Sequence, residues 1–506
     1  MLRANVAAVN LVAVMFTNAI LQTAFAAVKS RNPGQWRNLH MLAQWRKIRM
    51  KLKHFALASA ALGLAIALAW IPLPAGAEVQ DGDVITPANA SKVENLLSPG
   101  SFALVRQGMT MKIVPAEHLE SPPPYRAATE KYSPQVALAP DGNLENYVAG
   151  LPFPLVDAND PQAASKIMWN FEYRPMSTDD IDARDVEAVS HADGASNEIE
   201  HFTFGHLGLY NYIGRTEVPP TPIDAGVLNM NIASRAGEYP VLEPAELRGA
   251  GLVRERSILP GVEDYAWEYS SNNRRLRRLP ASALSDAFGG ASISGPGQAS
   301  GVGLGGGGAA GGGGAGGGRA TTYASTLDPN SWFGFSGKVT EYSYRLLGER
   351  TLLASVDGSS PAASCTDDGG RSVCEKWQPR RAYVVEATAK SGSPLSAGAL
   401  VPKRIFYIDS EGWFITASDL YDRDGRLCKT IANFYAYSDR ATPGTRVAIW
   451  PFKRIFQTAM VDEDLTNGFS TVVHTPGLDD RDGLYINMGA IDGNFFTPAR
   501  MVQAGR

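Results

Sequence analysis

Five histidines lie beyond residue 77, His118, His191, His201, His206 and His474, and they are the first place to look for general bases or metal ligands. None sits in H-E-x-x-H or a comparable ligand spacing. His201 and His206 are five apart in a stretch that reads as a strand, so alternation places them on opposite faces, where they cannot share a metal. G-x-S-x-G, G-x-x-x-x-G-K-[ST] and C-x-x-C are all absent. The local signatures of a serine hydrolase, a phosphate loop and a thiol-redox or zinc site are therefore missing. Asp479-Asp480-Arg481-Asp482-Gly483 opens like a calcium loop but lacks the later ligands, including the bidentate Glu, and reads as a turn. No catalytic residue, metal or cofactor can be named, and the expectation is a protein that is not an enzyme.

Two other groups of residues carry binding chemistry. Arg274, Arg275, Arg277 and Arg278 crowd one short stretch of an acidic chain. On a strand Arg275 and Arg277 share one face, and Arg274, Leu276 and Arg278 the other. They serve either as solvated edge charges that discourage strand pairing or as guanidinium forks for an anionic headgroup or acidic partner. The second group is aromatic: Trp169, Phe171, Phe202, Phe204, Trp267, Tyr269, Tyr342, Tyr344, Trp413 and Tyr421. Their spacing lets many face one interior, either as the lining of a lipid cavity or as a packed core.

The elements that must position these residues are mainly extended. Before residue 200 two helices are expected. Thr86-Pro87 opens one that contains Val93, Leu96 and Leu97; Asp160-Pro161 opens another whose buried side is Ala163, Ile167, Met168 and Phe171. Phe202 to Tyr210 reads as a strand with small residues where backbones approach closely. Tyr265–Tyr269, a Ser270-Ser271-Asn272-Asn273 turn and Arg274–Pro280 read as a hairpin. Further strands are expected over Gly337–Leu353, Arg381–Lys390, Arg404–Asp409, Trp413–Tyr421 and Arg426–Tyr437, with turns at Asp409–Gly412 and Asp422–Gly425. No β-α-β alternation argues for a parallel sheet, so the fold class is α+β, mainly an antiparallel meander.

Met50, Lys51 and Lys53 precede an apolar run, Phe55 to Leu73, that ends in Ala75-Gly76-Ala77. That is the pattern of a cleavable signal peptide over residues 50–77. Residues 1–49 read as a spurious extension from a start codon assigned too early, and residues 78–506 as a single exported domain. Removing residues 1–77 takes away nine Lys/Arg and no Asp/Glu, which leaves 38 basic residues against 51 acidic ones, a net charge of −13. Such a chain is a poor nucleic-acid binder. No later run reaches the roughly 18 apolar residues of a membrane span, and no cysteine follows the signal region to take a lipid anchor. Cys365 and Cys374 bracket a polar loop at a spacing that suits a disulfide in an oxidising compartment, although Cys428 is an alternative partner. Residues 289–319 are a glycine-rich tract with almost no side chains to bury, expected to be a disordered loop or linker.

Several phrases together resemble a known family. Tyr147–Pro154, then Asp160-Pro161-Gln162-Ala163-Ala164 and Trp169-Asn170-Phe171, are similar to the periplasmic family known as domain of unknown function 1329. Three further blocks fit it: Trp267 to Pro280, Gly334-Phe335-Ser336-Gly337 to Leu347-Gly348, and Tyr407-Ile408-Asp409 through Tyr421–Gly425. The glycine tract departs from the family's pattern by lengthening the loop after the arginine-rich strand. The family in turn resembles the outer-membrane lipoprotein-sorting proteins of the LolA and LolB group, which implies a curved antiparallel half-barrel with a helical lid around an apolar cavity. The implied function is a periplasmic carrier of acyl chains, lipid or lipidated protein, acting with an inner-membrane lipid-exporting transporter and an outer-membrane protein. The alternative is a non-catalytic adaptor docked on such a transporter. Under the carrier reading Trp169, Phe171, Phe202, Phe204, Trp267, Tyr269, Tyr344, Trp413 and Tyr421 line the cavity, and Arg275 and Arg277 stand at its rim.

Overall fold

The alternating sequence beyond residue 180 builds fifteen strands of a 17-stranded sheet, and two short strands before it supply the rest. The computed structural model describes residues 79–191, 198–226, 231–259, 261–279, 332–335, 337–391, 401–441, 449–475 and 483–506. The expected extension at 1–49, the expected signal peptide at 50–77, the glycine tract and Asp479–Asp482 lie outside the described residues. From Ala77 onward the chain forms one compact unit. No helix of the described residues is long and apolar enough to cross a membrane.

Short strands β1 (Val84–Ile85) and β2 (Met111–Ile113) flank a 3-10 helix, Pro87–Leu96, and helix α1, Pro99–Gln107. Helix α2 (Pro123–Tyr132), the two-residue strands β3 (Ala137–Leu138) and β4 (Leu144–Glu145) and helix α3 (Ala163–Glu172) follow. The sheet then runs through β5 (Asp180–His191), β6 (Glu198–Asn211), β7 (Ile232–Glu238), β8 (Val241–Glu243), β9 (Gly251–Ser257), β10 (Tyr265–Ser270) and β11 (Arg275–Leu279). After the glycine tract come β12 (Tyr342–Ala354), β13 (Glu375–Ala389), β14 (Lys403–Asp409), β15 (Ile415–Tyr421) and β16 (Leu427–Arg440). Strands β17 (Ile449–Asp464), β18 (Phe469–His474) and β19 (Leu484–Ile486) and helix α4 (Pro498–Ala504) complete the chain.

Pairing is antiparallel along the path β11-β10-β9-β7-β6-β5-β18-β17-β16-β15-β14-β13-β12. One exception is parallel, β2 beside the start of β13. Among the described residues nothing pairs β11 with β12, so the sheet is open, and the glycine tract joins its two edge strands in sequence. Bulges at Tyr407/Ile408, Leu420/Tyr421 and Phe434/Tyr435 bend the central strands. The bend is sufficient for one core to gather Phe204 of β6, Phe406 of β14, Tyr435 of β16 and Val473 of β18 around Ile167 and Phe171 of α3. Phe335 sits among them, edge-on to Phe171 and Phe406 at 6.0 and 5.4 Å between ring centres.

The helices divide between the two faces of the sheet. Helix α3 lies in the core just described, whereas the 3-10 helix and α1 place Val93, Leu104 and Val105 against Leu353, Trp377, Phe434 and Val461 in a second core on the other face. Helix α1 begins as its sequence dictates: Pro99 occupies the first helical position and Ser98 Oγ accepts from Ser101 N at 3.0 Å. Asp160 accepts from Gln162 N at 2.8 Å and so organises the turn before α3. A third, smaller core packs Met501 of α4 on Tyr212, Val253 and Tyr269.

Two local expectations met different fates. Gly208 does mark a close approach, since a Cβ there would lie 1.9 Å from the Ile181 carbonyl oxygen. His201 and His206, however, are not on opposite faces. Ile181, Ala183, Val186 and Ala188 all enter the main core, as do Phe202, Phe204, Leu207 and Leu209. The facing of both strands therefore shifts at Asp185, whose φ is +50°, opposite Gly205. Both histidines leave the core side, His201 beside Glu187 at 3.5 Å and His206 beside Asp182 at 2.8 Å.

Cys365 and Cys374 are joined in a disulfide, and Cys428 is free and buried. Burial pushes the Cys428 thiol up to about 12, which keeps it an inert apolar filler.

Candidate functional site

A cavity of about 350 Å³ opens where the C-terminal end of α3 meets the ends of β6, β7 and β9 and the 338–340 turn before β12. One wall is aromatic. Tyr147 and Tyr173 have ring centres 3.9 Å apart, and Trp169 stacks on Tyr173 at 6.0 Å. Trp169 Nε1 donates to the Gly142 carbonyl at 2.9 Å, which fixes the indole. Tyr125 donates its hydroxyl to the Tyr173 carbonyl at 2.6 Å from behind.

The opposite wall is charged. Arg256 Nη1 meets Glu172 Oε1 at 2.8 Å, Arg256 Nε meets Asp264 Oδ2 at 3.1 Å, and Lys338 Nζ meets Asp264 Oδ1 at 3.1 Å. Arg256 also donates to the Gly337 carbonyl at 3.0 Å. These contacts tie α3, β9 and the turn before β12, so ion pairs hold together two regions of the open sheet that no strand pairing among the described residues joins directly. Burial pushes the Asp264 carboxyl up, but Arg256, Arg254 and Lys338 outweigh it and hold the group below its usual range. Glu341, at the edge of the same cluster, is raised, chiefly by burial.

Arg174 forms part of the cavity lining between these walls. Its guanidinium is sandwiched between the rings of Phe171 and Phe333, 4.5 Å from each centre. Nη1 donates to the Phe171 carbonyl at 2.9 Å, at the C-terminal end of α3 where cations are favoured. Nε is sealed within the protein and has no hydrogen-bond partner, and no carboxylate among the described residues lies within ion-pairing distance of this guanidinium, although Glu172 attracts it at longer range. The residue is 8% exposed, and burial lowers its pKa. Asn143, Asn146, Ser177, Thr178 and Asn211 complete a lining that holds no histidine and no cysteine. The cavity thus mixes apolar and polar surface and is not purely apolar.

Of the expected site residues, Trp169 lines this cavity. Phe171 lies beneath it, packed on Arg174 and Phe335. Phe202, Phe204 and Trp413 are buried in the main core, Phe204 against Trp332 and Trp413 stacked on Tyr383, and Tyr344 is packed against that core. Trp267 and Tyr269 belong to the third core, around α4. Tyr421 is half-buried with the Lys403 ammonium 4.3 Å from its ring centre. Arg275 is exposed on the edge strand, and Arg277 pairs with Glu268 at 2.7 Å. Arg278 instead lies over the Tyr265 ring at 4.3 Å, as alternation requires. The structure therefore spreads these residues over two cores, the cavity wall and one edge, with Tyr421 in neither core. Sequence reasoning missed Tyr147, Tyr173, Arg174, Arg256 and Lys338. Tyr147 and Trp169 do lie in the blocks that carry the family resemblance, which is the one signal that could have found this wall.

The described architecture is an open, bent α+β sheet with a ligand-sized cavity at one end of its core. The chain belongs to the family described as "Protein of unknown function (DUF1329)", whose model matches residues 84–294 and 319–501 and breaks within the glycine tract. It is 24% identical over 378 residues to the uncharacterized protein PA3922 of Pseudomonas aeruginosa, covering 71% of this chain and 70% of that one. Among solved structures it is similar to a DUF1329 family protein from Desulfovibrio piger, at 15% identity and a TM-score of 0.37, over 66% of this chain and 96% of that one. It is also similar to a putative outer membrane lipoprotein-sorting protein domain from Vibrio parahaemolyticus, at 13% identity and a TM-score of 0.38, over 68% of this chain and 100% of that one.

Proposed function

We propose that the protein is a non-catalytic periplasmic carrier that binds an amphipathic ligand, an acyl chain with its headgroup, in the cavity beside α3. The observation that carries this reading is the pairing of an aromatic wall, Tyr147, Trp169 and Tyr173, with a cationic and polar wall in one open-mouthed cavity. Its volume of about 350 Å³ is at the small end of the roughly 300–1,000 Å³ typical of small-molecule sites. That favours one chain or a headgroup with the first part of a chain over a whole lipidated protein enclosed at once. The signal-peptide pattern at 50–77 supports a periplasmic site, where such a carrier would serve lipid export or outer-membrane sorting. Each buried methylene contributes roughly 0.8 kcal/mol, so apolar burial alone supplies useful affinity without catalysis.

The test is native mass spectrometry of the protein purified from periplasm without denaturation, followed by organic extraction. A stoichiometric amphiphile, lost in Trp169→Asp, is the expected result. A clean ligand-free mass that stays unchanged after incubation with envelope lipid would sink the carrier reading. One observation favours the second reading, an adaptor docked on an envelope transporter: β11 is an edge strand with Arg275, Leu276, Arg277 and Arg278 exposed. Pull-down from membranes with Arg275→Glu and Arg277→Glu separates the two, because only an adaptor loses its partners.

A further inference from the structure

We propose that Arg174 is the headgroup-recognition residue of the cavity and that the ligand is a single-chain anionic amphiphile ending in a carboxylate or a phosphate monoester. The inference rests on the carrier reading and names the chemical class of its ligand.

A guanidinium remains charged in a protein, and a buried charge without a counter-ion is strongly unfavourable. Arg174 is more than nine-tenths buried, no carboxylate among the described residues lies within ion-pairing distance of it, and Glu172, which attracts it at longer range, is shared with Arg256. The other two cations of the cavity are engaged, Arg256 with Glu172 and Asp264, and Lys338 with Asp264. Phe171 and Phe333 occupy both faces of the Arg174 plane, and Nη1 is used by the Phe171 carbonyl. Nε is sealed from the cavity, so what is left is Nη2, one charged donor for a single oxygen of a carboxylate or phosphate. Trp169 and Tyr173 lie beside it in the same cavity, where the start of an acyl chain would pack. The arrangement fits a ligand of one negative charge and one tail better than a neutral lipid, which would leave the guanidinium compensated only by the shared Glu172.

The experiment measures binding of decanoate, decyl phosphate and decanol to the ligand-stripped chain by calorimetry, with wild type, Arg174→Met and Arg174→Lys. Wild type should bind at least one of the two anions about tenfold or more tighter than decanol, the scale of a charged hydrogen bond. The anion preferred identifies the head as carboxylate or phosphate. Arg174→Met should abolish the preference while decanol affinity stays within about twofold, and Arg174→Lys should restore part of it. Equal affinity for all three in wild type would overturn the assignment to Arg174 while leaving the carrier reading intact. Failure of all three to bind would overturn both. Ligand-free Arg174→Met should melt at or above the wild-type temperature. A fall of about 5 °C or more would mean that the chain itself supplies the counter-ion, and would also overturn the proposal.

Discussion

Replacing Gly100 by alanine sets local helix propensity against tertiary packing, and the structure says which wins. Gly100 is in the first turn of α1, and its amide donates to Asp419 Oδ2 at 3.2 Å. A Cβ there would lie 2.1 Å from Thr430 Oγ1, 2.3 Å from Asp419 Oδ1 and 2.4 Å from Thr430 Cβ. Neither neighbour can retreat: both are fully buried, and Thr430 Oγ1 donates to Asp419 Oδ1 at 2.9 Å. In a free helix alanine would gain up to about 1 kcal/mol over glycine. Here α1 must lift from β15 and β16, which costs about 1–3 kcal/mol in overpacking. It also weakens the bonds that Gly100 N and Ser98 Oγ make to a buried carboxylate, worth about 1.5–3 kcal/mol. The net expectation is a loss of about 2–4 kcal/mol. Equilibrium urea unfolding of the chain from Glu78, wild type against Gly100→Ala at pH 7.5, measures it through the shift in midpoint at constant slope. A variant as stable as wild type, or more so, would refute the placement of α1 against β15 and β16.

Three further outcomes follow from the same physics. Burial raises Asp419 to about 6 and Glu463 to about 7, so the folded chain holds more protons than the unfolded one between about pH 4 and 7 and its stability from these groups is lost as pH rises through that window. Asp419→Asn should therefore flatten the fall in stability between pH 4 and 6 by on the order of 3 kcal/mol, and an unchanged slope in a melting series would contradict the buried carboxylate. His474, held down to about 4 by burial, acts in the other direction, with stability present above about 6.5 and lost as pH falls toward 4; His474→Gln should remove that acid limb in the same series. Breaking the Cys365–Cys374 bridge, which spans nine positions, with serine at both sites should cost about 2–3 kcal/mol by the chain-entropy estimate, read as a lower urea midpoint. No change in that midpoint would show that the loop is already constrained by other contacts.

Much of the local structure was legible because it depends on neighbours in the chain. The Asp422–Gly425 turn forms as its residues dictate, with Gly425 N bonded to the Asp422 carbonyl at 3.0 Å. The alternation of Arg275, Leu276, Arg277 and Arg278 on β11 and the buried side of α3 are likewise properties of a single element. Strand β17, the longest of the sheet at 16 residues, escaped notice because it is buried over most of its length and lacks a simple alternation. The parallel β2–β13 pair escaped because its partners are far apart in the chain.

What the sequence by itself determined was the antiparallel grammar, the turns and the family. What only the tertiary structure decided was which aromatic residues share an interior. Periodicity assigns a side chain to one face of its own strand, but bulges and the reversal at Asp185 decide what that face meets. Trp267 and Trp413 thus read alike and lie in different cores. Arg174 shows the same limit most clearly. Its position after α3 is written locally, but its cage needs Phe333 from beyond the glycine tract, and its charge balance depends on Glu172, which is shared with Arg256 of β9. Burial and charge balance are sums over neighbours in space, and the chain must fold before those neighbours exist.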